Sequence, residues 1–192
     1  MPPHHPLLNQ EFKEQAELVA ANMRDALNLP KHAPLCAFKL ANHLGIPIKS
    51  IYDYGIVDDG EPYDDWSAML IYKKSGNPVI IHNIRRSQSR QQSDIMHEIG
   101  HYYCKHPLIP QPVKGPLPTL MMATDPRHEQ EAFYLGATLQ LPRVALSWAV
   151  HGEQMTVEEI AKKFVASRQM VQYRINVMGL SKDMKLLQTE RQ

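Results

Sequence analysis

Residues 97–101 read His97-Glu98-Ile99-Gly100-His101, the pattern HExxH. On a helix, positions four apart stand one turn apart on one face, so both imidazoles reach a single tetrahedral zinc and the glutamate between them points toward the same cleft. Ile95, Met96, Ile99, Tyr102, Tyr103 and Cys104 make the surrounding helix, residues 91–105, mostly apolar. That composition argues against two solvated histidines on a surface helix. The remaining bland alternative is a buried histidine pair bonded to each other or to backbone carbonyls.

A catalytic zinc takes three protein ligands and keeps a fourth position for water, so a third ligand is expected on another element. Glu129 and Glu131 are the candidates, in a segment, 127–140, whose Ala, Leu and Tyr content reads as helix. Two positions apart on a helix face nearly opposite ways. Glu129 shares its face with Ala132, Phe133, Gly136 and Gln140, and small Ala132 and Gly136 let a second helix approach closely. Glu131 falls with Tyr134, Leu135 and Thr138. Helical phase therefore favours Glu129 and keeps Glu131 as the alternative. Between the two helices, Pro107, Pro110, Pro112, Pro116, Pro118 and Pro126 predict a long loop without regular structure, of the kind that is often functional.

Upstream, apolar residues at helical spacing predict helices over 9–28 and 34–44, the second stopped by Gly45. Short apolar runs at 46–54, 66–72 and 79–82 predict strands, the last two as a hairpin through 73–78 and the first two separated by an acidic loop, 53–65. An edge of that hairpin offers main-chain groups to an extended substrate. Downstream, Thr156 and Glu159 form a capping box, residues 165–167 a turn, and 168–177 a further helix, a helix-turn-helix pattern with Arg168, Gln169, Gln172 and Arg174 as polar readers of a DNA groove. Seven Lys or Arg against four Asp or Glu in 156–192 make few phosphate contacts, which favours a packing helix pair over DNA binding.

With 192 residues, 43% hydrophobic and 21% charged, the chain suits one compact domain with an appendage. Its 21 basic and 20 acidic side chains nearly cancel, so no global field draws it to nucleic acid or to a membrane surface. Cys36 and Cys104 are too few for a disulfide framework and read as reduced thiols. No segment has the length or apolarity of a signal or a membrane span, which predicts a cytoplasmic protein. His4 and His5, beside prolines, read as solvated residues rather than ligands.

These residues resemble the ImmA/IrrE family of bacterial and phage metallopeptidases. Its HExxH helix is followed by a glutamate-bearing helix ending in a Leu-Leu-Met-Pro-like segment, here Leu139-Gln140-Leu141-Pro142. Ile80-Ile81-His82-Asn83 resembles the family strand that ends in Asn, and Ser93-Asp94-Ile95-Met96 resembles its lead into HExxH. Counted back from Pro142, Glu129 stands where the family's metal-binding glutamate is expected. The sequence departs from the pattern at Phe133, where the family often has Asn, and at Gln140.

The resemblance implies an α+β fold: a zincin-like metallopeptidase core with a small sheet and the HExxH helix, and a C-terminal helix-turn-helix-like subdomain. The expected division is 1–32, an N-terminal helical segment; 33–151, the peptidase core; and 152–192, the helical subdomain. The expected function is a zinc endopeptidase with His97, His101 and Glu129 as ligands and Glu98 as general base. Mn2+ is tolerated by the same donors. The resemblance implies a protein substrate, a helix-turn-helix repressor of a mobile element or stress response. Tyr102, His128 and Tyr134 are candidate donors to the oxyanion. The rival readings are a regulator that uses zinc structurally and a scaffold that binds its partner without cutting it.

Overall fold

Ser87 accepts a hydrogen bond from the Arg90 N–H and starts the central helix α3 (Gln88–Cys104), which carries HExxH. In this computed structural model, which describes residues 8–54, 67–73, 75–110, 120–122 and 125–190, α3 packs most extensively on α4 (Pro126–Gln140). Asp125 caps α4 by accepting from the Arg127 N–H, with Pro126 in the first turn, where its missing N–H costs nothing. The two helices meet backbone to backbone. A Cβ on Gly100 would lie 2.5 Å from the Ala132 carbonyl oxygen, and one on Gly136 would lie 2.8 Å from that of Met96. The close approach expected from Ala132 and Gly136 is thus met by a third small residue, Gly100, inside HExxH itself.

α1 (Gln10–Ala26), capped by Asn9, packs on α4, and α2 (Ala37–His43) packs on α3. A mixed sheet runs in the order β1 (Ile48–Ser50), β3 (Pro78–His82), β2 (Ala68–Tyr72), with β1 parallel and β2 antiparallel to β3. The predicted hairpin is therefore present and β2 is an edge strand. The core beneath α3 joins Ala20, Leu40, Ile46, Ile80, Ile95 and Leu135. A second core gathers Leu141, Leu146, Val150, Ile160, Phe164 and Val171. It is enclosed by α5 (Arg143–Ser147), the π-helical turn Trp148–Gly152, α6 (Val157–Lys163), α7 (Arg168–Val177) and α8 (Ser181–Glu190). Thr156 and Glu159 form the expected capping box at the start of α6.

Two fully buried arginines tie these parts together. Arg24 donates to the carbonyls of Ala20, Ala33 and Leu139. Arg174, on α7, donates to Leu141 O at 2.8 Å and to Glu17 Oε1 at 2.7 Å, so α7 is bound to α1 and to the end of α4. Arg24 finds three carbonyl acceptors and Arg174 a carbonyl and a carboxylate, which offsets the cost of burying them.

The proline-rich stretch differs from the expectation of no regular structure. β4 (Leu108–Pro110) pairs antiparallel with β5 (Leu120–Met122). The apolar, β-competent residues at both ends of the stretch outweigh the prolines, of which Pro107 precedes β4, Pro110 ends it and Pro126 opens α4. Pro112, Pro116 and Pro118, most of the acidic loop, Trp66, His4 and His5 lie outside the described residues. Among the described residues no helix is long and apolar enough to cross a membrane.

Candidate metal centre

α3 presents His97 and His101 from consecutive turns, and the close α3–α4 contact brings Glu129, in the first turn of α4, over them. The two Nε2 atoms are 3.0 Å apart. Glu129 Oε2 is 3.2 Å from His97 Nε2, and Oε1 is 3.3 Å from His101 Nε2. Tetrahedral bonds of about 2.0–2.1 Å place neighbouring donors about 3.3 Å apart, so these three atoms match one face of such a coordination sphere. Two imidazoles and one carboxylate also leave the fourth corner to a small molecule. The set thus fits a catalytic rather than a closed structural ion. Helical phase, which favoured Glu129 over Glu131, selects the same residue.

Glu98 lies on the same helix but toward the sheet, buried, with Oε2 accepting the Leu70 N–H of β2 at 2.7 Å. Ser67 O and Lys73 N bond across to the β3 side, so Ala68, Leu70 and Tyr72 carry their N–H and C=O groups on the outer edge. The general-base candidate is therefore fastened to the edge strand by that strand's own main chain. β5 lies beside β2, but the two sheets do not join.

The electrostatics follow from this packing. Burial pushes the Glu98 carboxyl above its ordinary range, only partly opposed by His97 and His101. Hydrogen bonds from His101 and His97 hold Glu129 well below that range, as an anion. Desolvation disfavours a charged His97, but Glu129, Glu98 and Asp94 outweigh it and raise its pKa. Asp94, itself pushed up by burial, is paired with Arg90 at 3.1 Å on the cleft wall.

These groups open on a cleft of about 960 Å³. Its walls are the β2 edge from Ser67 to Leu70, the exposed face of α3, and α7 through Gln169, Met170, Gln172 and Tyr173. α7 therefore turns its polar face to the metal centre. Of the residues proposed as DNA readers, Gln169 and Gln172 line this cleft and Arg174 is fully buried. Arg168 pairs with Glu158 at 2.5 Å on the surface. Helix-turn-helix periodicity gives no sign of which face is covered, and that face is set here by the tie from Arg174 to Glu17.

The candidate oxyanion donors Tyr102, His128 and Tyr134 are not among the residues lining the cleft; Tyr134 is buried in the core with its ring against Arg174. Phe133, one departure from the family pattern, packs edge-on against Tyr173, with ring centroids 5.1 Å apart, and gives the cleft an aromatic wall. Gln140, the other departure, bridges Ser93 Oγ at 3.0 Å and Val165 O at 2.9 Å, linking α3 to the α6–α7 turn. Asn83, at the end of β3, accepts the Arg85 N–H and shapes the turn toward α3. Cys104, His106 and Glu131 form a second group whose donor atoms approach one another within 4.8 Å. Sequence reasoning passed over His106 because it stands beyond the helix that carries the motif.

A profile of the family Peptidase_M78, described as the IrrE N-terminal-like domain, matches residues 53–176. A search of curated proteins found no match. Among solved structures, a Mycobacterium tuberculosis transcriptional regulator has a similar fold, with a TM-score of 0.51 and 12% identity over 84% of this chain. The match spans 46% of that protein, less than half its length. Both metal-bearing helices and most of the cleft fall inside the stretch that the profile matches, and the chain belongs to the metallopeptidase-like family defined by the IrrE N-terminal-like domain.

Proposed function

We propose that this chain is a zinc-dependent endopeptidase acting on a protein substrate, a helix-turn-helix transcriptional repressor of a mobile element or stress response. The observation that carries the hydrolytic reading is the position of Glu98. It is buried beside a three-donor site with an open corner and fixed to an edge strand that faces the cleft. A structural metal has no use for a carboxylate there, whereas hydrolysis does. Zinc supplies Lewis acidity toward a water and toward the scissile carbonyl.

The protein's own residues do the rest. His97, His101 and Glu129 hold the ion. The raised affinity of Glu98 for a proton suits it to take one from the attacking water and return it to the leaving amine. The Leu70 N–H fixes one oxygen of that carboxylate, which leaves the other to exchange the proton. The outward N–H and C=O of Ala68 pair with an extended substrate segment, and Met170, Phe133 and the ring of Tyr173 receive its side chains. The choice of a repressor as substrate rests on the family resemblance.

The test is metal content of wild type beside His97→Ala, Glu129→Ala and Glu98→Gln, with cleavage of a panel of purified helix-turn-helix repressors read by mass spectrometry. The proposal expects about one zinc per chain in wild type and Glu98→Gln, none in the other two, and cleavage by wild type alone. Zinc without cleavage of any protein, unchanged in Glu98→Gln, supports the regulator reading instead, and no zinc supports the metal-free scaffold.

A further inference from the structure

α3 does not end as an extended strand. Lys105 adopts the left-handed conformation, φ 55°, and the His106 N–H returns to His101 O at 3.3 Å. This six-to-one bond is the Schellman closure, which folds the chain back over the last turn of the helix. His106 is thereby laid against His101. Its Nδ1 is 2.9 Å from His101 Nδ1, on the side of that ring away from Glu129, and its Nε2 is 3.1 Å from Glu131 Oε2. The His106 ring is stacked on His128, with centroids 4.4 Å apart and planes 20° apart, and both His101 and His106 are buried. The other oxygen of Glu131 accepts from Arg127 Nε at 3.0 Å.

We propose that His106 and Glu131 are positioning residues, a hydrogen-bond relay that fixes the tautomer and ring orientation of His101 for metal binding. The inference rests on the metallopeptidase reading above. Its direction is forced from the carboxylate end. An ionised carboxylate only accepts, so a neutral His106 carries its proton on Nε2 and leaves Nδ1 bare. A bare Nδ1 accepts, so His101 must carry its proton on Nδ1. His101 then presents an unprotonated Nε2, the atom that converges with His97 Nε2 and Glu129. Ligating imidazoles are commonly held in this way by a carboxylate or carbonyl. Here the carboxylate acts through a second imidazole, because Glu131 lies too far round α4 from Glu129 to approach the same ring directly. The pair Glu129 and Glu131 is thereby divided, one residue for the ion and the other for the ring that holds it.

The test compares wild type, His106→Ala, the near-isosteric Glu131→Gln and Cys104→Ser. Zinc affinity is measured by competition with a chromophoric chelator, zinc stoichiometry by elemental analysis, and histidine tautomers by long-range nitrogen–proton spectra of the wild-type protein. The relay expects one zinc per chain and affinity about 10- to 100-fold weaker in His106→Ala, the usual range for loss of an outer partner. Glu131→Gln, which still accepts a hydrogen bond, loses less, and Cys104→Ser binds as wild type does. The spectra, which a merely structural role leaves unconstrained, should show His101 protonated at Nδ1 and His106 at Nε2. A His106 protonated at Nδ1, or unchanged zinc affinity in both His106→Ala and Glu131→Gln, overturns the relay and leaves the peptidase standing. So does a second zinc lost in Cys104→Ser, which would make Cys104, His106 and Glu131 ligands in their own right. A wild type that takes up no zinc overturns both.

Discussion

Replacing Gly100 with alanine adds one methyl group to the middle of HExxH without touching a ligand. In an exposed helix the change stabilises by about 1 kcal/mol, because alanine loses less backbone freedom on folding. Here the new Cβ would stand 2.5 Å from Ala132 O and 2.9 Å from Ala132 Cα, where ordinary contact begins at 3.4 Å. The obstacle is backbone, which cannot rotate away, so α3 and α4 must part by roughly 0.9 Å at this point. Overpacking of this kind costs about 1–3 kcal/mol, enough to cancel or reverse the helical gain.

The larger effect falls on the metal. Ala132 is one turn from Glu129 and Gly100 adjoins His101, while coordination distances tolerate only about 0.2 Å. Gly100→Ala should therefore lose zinc affinity by tenfold or more while the protein still folds. Gly152→Ala is the control, since its Cβ meets only the Trp148 side chain at 3.5 Å, an ordinary contact. Chelator competition and thermal melting of both variants decide. Gly100→Ala with wild-type zinc affinity and an unchanged melting temperature would show that the helix contact does not set the donor geometry.

Three further outcomes follow from the same structure. Burial raises the folded pKa of Glu98 above its ordinary 4.5, so its contribution to stability is complete below that pH and lost as pH rises through the folded value. In chelator, Glu98→Gln should melt higher than wild type, by more at pH 8 than at pH 5; equal shifts at both would contradict the burial. Cys104 is pushed by burial from 9.0 up to about 11, so its neutral thiol stabilises below pH 9 and that stability fades between pH 9 and 11. Denaturation of Cys104→Ala should show a shallower alkaline decline than wild type, and matching slopes would refute the assignment. Arg174→Met leaves Glu17 without its buried partner and Leu141 O without a donor, at a cost of about 3 kcal/mol or a fall of roughly 6–12 °C in melting temperature. A change of less than about 2 °C would mean that α7 is held by its apolar contacts alone.

What was legible in the sequence is what periodicity can express. HExxH puts two candidate ligands and a candidate base on one helix, and the phase of Glu129 against Ala132 and Gly136 points to the carboxylate that the structure brings against both histidines. The β2–β3 hairpin follows from two apolar runs and the turn formers between them. Residues placed by chain reversal or by burial of charge were not legible. His106 lies outside the helical pattern and reaches His101 only because Lys105, with no glycine to signal it, takes the left-handed conformation. Arg174 reads as a surface cation at any periodicity, and only its tertiary acceptors explain why it is buried.

That buried arginine also bears on how the molecule is used. A helix-turn-helix presents its second helix outward, with basic side chains toward phosphates. In this chain the corresponding helix, α7, is anchored through Arg174 to Glu17 and Leu141, and the same rotation directs Gln169, Met170, Gln172 and Tyr173 into the cleft. The faces of one helix are fixed relative to each other, so as long as Arg174 keeps its acceptors, α7 holds these residues at the cleft. The C-terminal helices are therefore better understood as one wall of the metal cleft. On the proposed peptidase reading, Met170→Ala or Gln172→Ala should change which proteins are cleaved in a mass-spectrometric panel while zinc content stays at the wild-type level.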